Sequence, residues 1–350
     1  MGARCQRHGA KRIRLGLSGL GLSQKRLRNW DNGFFFHKLW DETLHREHGG
    51  AGRERGGFAA QAPPKTCKEH GSMTQRRPFL EIPPWLSASQ QSARLFLRAF
   101  GESADDLALN FFEGDRPQVI TRVLAQCLET QERTLVEESV LWELPIGIRM
   151  EALLVIAALS DTRPLYWRVR CHHSDCGSQS ELALEIDELI ALAADSRQQA
   201  TTTCSVAGHA MQLRRPTGRD QLHWMLDSAA EPEMYSCMAR SILVTPDLDA
   251  LVEAGVDFPV ITDAMDAAMD AFDPLMGFHL GVVCPACSRS SDQAPDLAAA
   301  ALERLWRVQN ALLDEIHVLA SRYHWSETEI LHMPQWRRQA YLNRLESQEA

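Results

Sequence analysis

Two periods of hydrophobic recurrence divide the chain. Leu95, Leu97, Phe100, Val119, Val123, Leu124 and Leu128 recur mostly at three- and four-residue steps, which predicts helix from Ser87 to about Ser160. The polar stretch Ser87–Gln91 offers an N-cap, and Gly101-Glu-Ser103 and Glu113–Pro117 break the helical run into pieces. Ala152–Leu159 is apolar on all faces and reads as a buried helix. Period two follows. Leu165, Trp167 and Val169 alternate with Tyr166, Arg168 and Arg170, and Leu182, Leu184 and Ile186 alternate with Ala183 and Glu185. These are two short strands of a hairpin that holds Cys171–Cys176 in its turn. A third strand is expected at Ala210–Arg215, and a fourth at Phe278–Val283 that runs into Cys284-Pro-Ala-Cys287.

Between the third and fourth strands the helical period returns. Thr217-Gly-Arg-Asp220 fits a variant capping box ahead of Leu222, Met225 and Leu226. A further helix at Val260–Phe272 carries Met265 and Met269 as core filler. Near the end, Leu302, Leu305, Gln309, Leu312, Ile316, Leu319 and Tyr323 alternate steps of three and four, the seam of one helix of about 25 residues. Ser326 and Glu329 form a capping box for the next helix, with Trp325 and Ile330 at the positions of a hydrophobic staple. Pro334 sets a kink or a second start before Trp336, Tyr341, Leu342 and Leu345. The seam is either buried in an intramolecular hairpin or offered to a partner.

Composition changes this picture at one place. Residues 1–72 hold 14 basic and 6 acidic side chains, a charge of +8, so the remaining 278 hold 23 and 40, a charge of −17. All five lysines, Lys11, Lys25, Lys38, Lys65 and Lys68, lie in this first part, and every basic residue from Met73 onward is arginine. The Arg-rich, acid-poor start has the character of a transit peptide or a nucleic-acid-binding arm. The compositional break favours a third origin, translated upstream sequence with Met73 as the true start. Residues 1–72 are accordingly expected to be a basic extension of low order. An acidic remainder argues against a nucleic-acid groove, which needs basic side chains, and favours protein partners. The longest apolar run, Ala152–Ser160, spans nine residues against the roughly twenty that cross a bilayer, so no membrane association is expected.

Nine cysteines, an odd number without a secretion signal, argue for reduced thiols in a cytoplasmic setting rather than a disulfide framework. Cys127 and Cys237 stand alone on expected helices as small core residues. Cys171-x4-Cys176 and Cys284-x2-Cys287 each end a strand in a tight turn, and two such knuckles complete a four-cysteine zinc site. His172 and His173 are alternative ligands within the wide knuckle, and Cys204-x4-His209 is a weaker competing pair. The zinc would be structural, because four protein ligands leave no open position for water. No Gly-x-Ser-x-Gly elbow, no Walker-type loop and no embedded catalytic cysteine occurs, so neither an enzyme nor a small-molecule substrate is expected. Asp263, Asp266 and Asp270 share one helix and are expected to form a solvated acidic face.

The fold class that results is α+β, mainly α. It comprises a helical N-terminal region over 73–163 and a small zinc-ribbon-like β unit over 164–292 that carries a helical insertion at about 217–273. A C-terminal helical hairpin over 293–350 completes it.

The run from Cys284-Pro-Ala-Cys287 through Asp314-Glu-Ile-His317, Tyr323, Trp325-Ser326, Glu329-Ile-Leu331, Met333-Pro334, Arg337-Arg338 and Tyr341-Leu342 resembles the C-terminal part of zinc-ribbon-containing proteins of contractile phage tails and phage-tail-like injection systems. Arg214-Arg-Pro-Thr-Gly-Arg-Asp220 is similar to an arginine–proline–threonine–x–x–aspartate stretch of the same family, that of T-even-type baseplate hub proteins and hub assembly chaperones. The resemblance runs from about Tyr166 to Leu345 and is most specific over the last 65 residues. The family's first knuckle usually looks like CPxC, whereas this chain has Cys171-His-His-Ser-Asp-Cys176. What the resemblance implies is a non-enzymatic baseplate or tail assembly protein, made in the bacterial cytoplasm and meeting other baseplate or tail proteins through its C-terminal helices. The runner-up is a zinc-ribbon nucleic-acid-binding regulator, for which Arg168, Arg170, Arg214 and Arg215 are the only basic candidates on the ribbon.

Overall fold

The computed structural model describes residues 79–86, 93–194, 197–226 and 231–349. The basic extension over 1–72 and the N-cap stretch Ser87–Gln91 lie outside the described residues. Helices dominate, joined by small antiparallel sheets of two or three strands.

The first surprise against the hydrophobic pattern is a sheet. β1 (Phe79–Ile82), β2 (Ala93–Leu97) and β3 (Leu128–Glu129) pair antiparallel in that order. Leu95 and Leu97, read above as helical, stand on β2, where a two-residue spacing turns both toward the core beside Leu80 and Leu128. Helix begins only at α1 (Asp105–Ala108), followed by α2 (Arg116–Cys127), α3 (Glu138–Glu143) and α4 (Ile146–Ser160). α2 opens with Pro117 in its first turn, and the Gln118 side chain accepts the Asp115 N–H at 3.0 Å. α4 is buried from Ile146 to Leu154 on every side, as its uniformly apolar sequence requires.

Two charged residues go down with α4. Arg149 is 2% exposed and has no carboxylate partner among the described residues. Its guanidinium donates to the carbonyls of Leu141 (2.8 Å) and Pro117 (2.9 Å) and to Thr121 Oγ1 (2.8 Å), while desolvation pulls its pKa down to about 9. Glu151 pairs with Arg197 at 2.5 Å.

β4 (Leu165–Arg170) and β5 (Gln179–Leu184) form the expected hairpin, with Leu165 opposite Leu184 and Arg170 opposite Gln179. Ile186 does not extend β5; it opens α5 (Ile186–Ala194), whose first turn carries Asp187 and Glu188. The third strand is present as β7 (His209–Arg214), and its partner β6 (Thr201–Val206) was not anticipated. The two join through Ala207 and Gly208, both at positive φ, the geometry of a tight two-residue hairpin turn. β8 (Leu243–Thr245) adds a third strand to this sheet.

The helical insertion comprises α6 (Gly218–Leu226), α7 (Glu231–Ile242), α8 (Leu248–Glu253) and α9 (Phe258–Phe272). Its start is the capping arrangement expected from sequence: Asp220 accepts from the Thr217 N–H (2.7 Å), and the Asp220 N–H reaches the Thr217 hydroxyl (3.3 Å). Trp224, Met238, Ile242, Met265 and Met269 fill a core of their own under β6 and β7. Asp266 on α9 is buried rather than solvated, and the Asp270 carboxylate packs so closely on Gly277 that a Cβ there would overlap it.

β9 (Leu280–Val283) is shorter than the expected fourth strand and pairs with β10 (Ser290–Gln293). α10 (Leu297–Tyr323) is the long seam helix, capped by Asp296, whose side chain accepts from the Ala299 N–H at 2.9 Å. Its first half packs on α4 through Ala301 and Leu305. Its second half, through Leu312, Ile316 and Leu319, packs on α11 (Glu327–Leu331) and α12 (Gln335–Glu349). The Ser326–Glu329 capping box forms, and Trp325 and Ile330 share one cluster as a staple should. The seam is thus covered within the chain.

Candidate metal centre

The two hairpins β4–β5 and β9–β10 meet over a small apolar patch of Val169, Leu182 and Val282. That contact sets their turns face to face. Cys171 and Cys176 come from the first turn, Cys284 and Cys287 from the second, and all four Sγ atoms lie within 4.8 Å of one another. Cys171 Sγ is 3.7 Å from Cys287 Sγ, and Cys176 Sγ is 3.8 Å from Cys284 Sγ. A tetrahedron with metal–sulfur bonds of about 2.3 Å has edges of about 3.8 Å, so these separations suit a four-thiolate ion of zinc's size. Among the described residues this is the one group of three or more His, Cys, Asp or Glu side chains able to hold a metal.

Local backbone geometry makes the cradle. The Cys171 N–H donates to Ser178 O (2.9 Å) and the Cys176 N–H to His173 O (2.9 Å), folding six residues into a turn that brings both thiols to one side. In the second turn the Cys284 N–H donates to Arg289 O (2.9 Å) and the Ser288 N–H to Cys284 O (2.8 Å). The residue after the last cysteine of each pair, Gly177 at φ 59° and Ser288 at φ 57°, is left-handed. Glycine takes that conformation freely, and Ser288 pays a steric cost there.

The site is electrostatically prepared for anionic sulfur. Cys284 is brought down to about 6 by the Ser178 hydroxyl, 3.1 Å from its Sγ, and by the backbone N–H groups of Cys287 and Ala286. The backbone N–H of Arg289, and then its guanidinium, lower Cys287. Cys171 receives the His173 N–H, yet desolvation and the three neighbouring thiols raise it to about 12, so in a metal-free cluster this thiol keeps its proton. Four thiolates around a dication carry a charge of −2, which these donors offset.

Ser178 and Arg289 were missed in the sequence. Arg289 also forms an ion pair with Asp175, so it ties the second turn to the first. The only available signal was position, each lying two residues beyond a cysteine. The histidine alternatives do not enter the cluster: His172 is exposed, and His173 Nε2 lies 3.4 Å from Ser290 O. Cys204 and His209 stand opposite Met211 and Val206 in the β6–β7 ladder, apart from the four thiols. Cys127 is fully buried and desolvation pushes it up to about 12, as suits a core thiol.

Two of the four candidate nucleic-acid-binding arginines are used inside the fold. Arg214 makes two bonds to Asp220 (2.7 and 2.8 Å), and Arg215, 4% exposed, pairs with Asp273 at 2.9 Å. Arg168 and Arg170 remain on the exposed face of β4. No described helix is long and apolar enough to cross a membrane. In comparisons with known proteins, no family model, no curated protein and no solved structure matches this chain.

Proposed function

We propose that this chain is a non-enzymatic assembly protein or assembly chaperone of a contractile phage tail or phage-tail-like injection system, folded around one structural zinc ion held by Cys171, Cys176, Cys284 and Cys287. The observation that carries the zinc assignment is the closure of the site. Four thiols at tetrahedral spacing complete the coordination of zinc and leave no position for a water or substrate. Zinc supplies cohesion there, and the protein supplies the donors that hold the thiolates.

The tail-assembly reading rests on the resemblance of the C-terminal residues quoted above. The employment of Arg214 and Arg215 in internal ion pairs favours protein partners over nucleic acid. So does the acidic charge of residues 73–350. The test is an affinity pull-down of the tagged chain from a producing bacterium, with particles sedimented away from soluble protein and both fractions identified by mass spectrometry. Baseplate or spike proteins bound in the soluble fraction indicate a chaperone, and the tagged chain within particles indicates a baseplate component. Tail proteins absent from both fractions overturn the reading.

A further inference from the structure

Between β4 and the first turns of α10 lies a cleft of about 610 Å³. Consecutive residues from Arg163 to Arg168 border it, as residues do where a cleft runs along the edge of a strand, and among the described strands β4 pairs with β5 alone. Its charge is unusual for this acidic chain. Arg163, Arg168, Arg304 and Arg307 face Asp161, Glu181 and Glu303, four guanidinium groups against three carboxylates.

The surplus positive charge can be located. Arg163 is paired with Asp161, and Arg307 with Glu303 one helical turn earlier. Arg304 is 8% exposed, and its guanidinium donates to the carbonyls of Asp161 (2.9 Å) and Pro164 (2.5 Å), so this cation is already engaged within the fold. Arg168 is exposed, and no hydrogen bond or ion pair joins it to a described residue, although Glu181 stands opposite it in the ladder. Beside them Tyr166, 54% exposed, offers an apolar ring face to the cleft. An anion entering here gains the exposed, unpartnered guanidinium of Arg168 and an aromatic surface.

We propose that this cleft binds an extended acidic segment of a partner protein, in which carboxylates alternate with apolar side chains. Alternation suits the site because Arg163 and Arg168 flank Tyr166 along the stretch that borders the cleft, and an extended peptide places every second side chain on one face. A nucleic-acid strand fits less well, since Asp161, Glu181 and Glu303 would repel a continuous row of phosphates. The partner's identity rests on the tail-assembly reading; the binding does not, and it can be tested on the purified chain.

The probe is a fluorescein-labelled hexapeptide of alternating leucine and glutamate, read by fluorescence anisotropy with the full chain. Its glutamine counterpart and a ten-nucleotide oligothymidylate are compared with it. The glutamate peptide is expected to bind, and Arg168→Glu, on an exposed strand position and checked for folding by its melting curve, is expected to weaken it by at least about tenfold. Arg344→Glu, on the remote α12, is expected to leave it unaltered. Equal binding of the glutamate and glutamine peptides overturns the proposal, as does no binding up to about 1 mM. Tighter binding of the oligothymidylate, weakened in the same way by Arg168→Glu, overturns it in favour of nucleic acid. A failed peptide titration beside a successful pull-down removes the cleft and leaves the assembly reading. The reverse removes only the partner's identity.

Discussion

The Sγ atoms of Cys171 and Cys287 lie 3.7 Å apart although 116 positions separate them in the chain. Everything between, including the helical insertion and its separate core, is therefore a loop closed at the four-thiol cluster. A covalent link closing a loop of about a hundred residues is worth roughly 4 to 5 kcal/mol in chain entropy, and a metal link acts on the same term. Removing zinc with a chelator should accordingly lower the melting temperature and expose the β9–β10 amides to hydrogen exchange before those of α4. Unchanged melting and uniform exchange would contradict a clamping role.

Asp273 joins the core of the insertion to α4. Its carboxylate pairs with Arg215 and accepts the N–H of Gly147, where any side chain would collide with it. Asp273→Asn removes the carboxylate from this buried ion pair and should cost about 3 to 5 kcal/mol in a urea titration. Pairing it with Arg215→Met should recover part of that loss, because the buried guanidinium is then gone.

Glu151 gives the fold a pH dependence. Desolvation raises its pKa from 4.5 to about 7, outweighing the attraction of Arg197. A carboxyl raised in the folded state contributes stability that is complete below its unfolded value, about 4.5, and that is lost as the pH climbs through 7. From pH 4.5 to 8 the wild type should thus lose up to about 3 kcal/mol relative to Glu151→Gln. Melting curves of the two proteins across that range are the check, and parallel curves would show that Glu151 is ionised throughout.

Gln309 is the polar member of the α10 seam, and its amide donates to the carbonyls of Asp106 and Leu109, both at 2.8 Å. It terminates α1 by satisfying carbonyls that a short helix leaves free. Gln309→Leu keeps the size and strips the donors, so it should destabilise by about 1 to 3 kcal/mol despite adding an apolar residue to a buried position. A stabilised variant would show that the amide is dispensable.

The elements legible in the sequence were those with their own local signal. α10, the Ser326–Glu329 box and the Thr217–Asp220 cap were readable because period and capping residues agree within a few positions. The thiol cluster was readable because cysteine spacing at strand ends is itself a geometric statement. β2 was misread because Leu95 and Leu97 sit within a longer run of three- and four-residue recurrences, and their two-residue spacing was the weaker cue. β6, Thr201-Thr-Thr-Cys-Ser-Val206, buries only its last residue, so it shows no alternation. β10 is Ser-Ser-Asp-Gln and owes its strand to the ladder with β9. Neither the burial of Arg149 on carbonyls and a hydroxyl nor the reach of Arg289 to Asp175 has a signature in one dimension, because both depend on what the fold brings nearby.

If Cys171, Cys176, Cys284 and Cys287 together hold one zinc ion, the metal should travel with the purified chain. Native mass spectrometry, with metal analysis of the same sample, decides this. One zinc per chain, lost in Cys284→Ser and kept in His173→Ala, is the predicted result. A metal-free wild-type chain that folds and melts normally, or zinc that survives loss of Cys284, would contradict it.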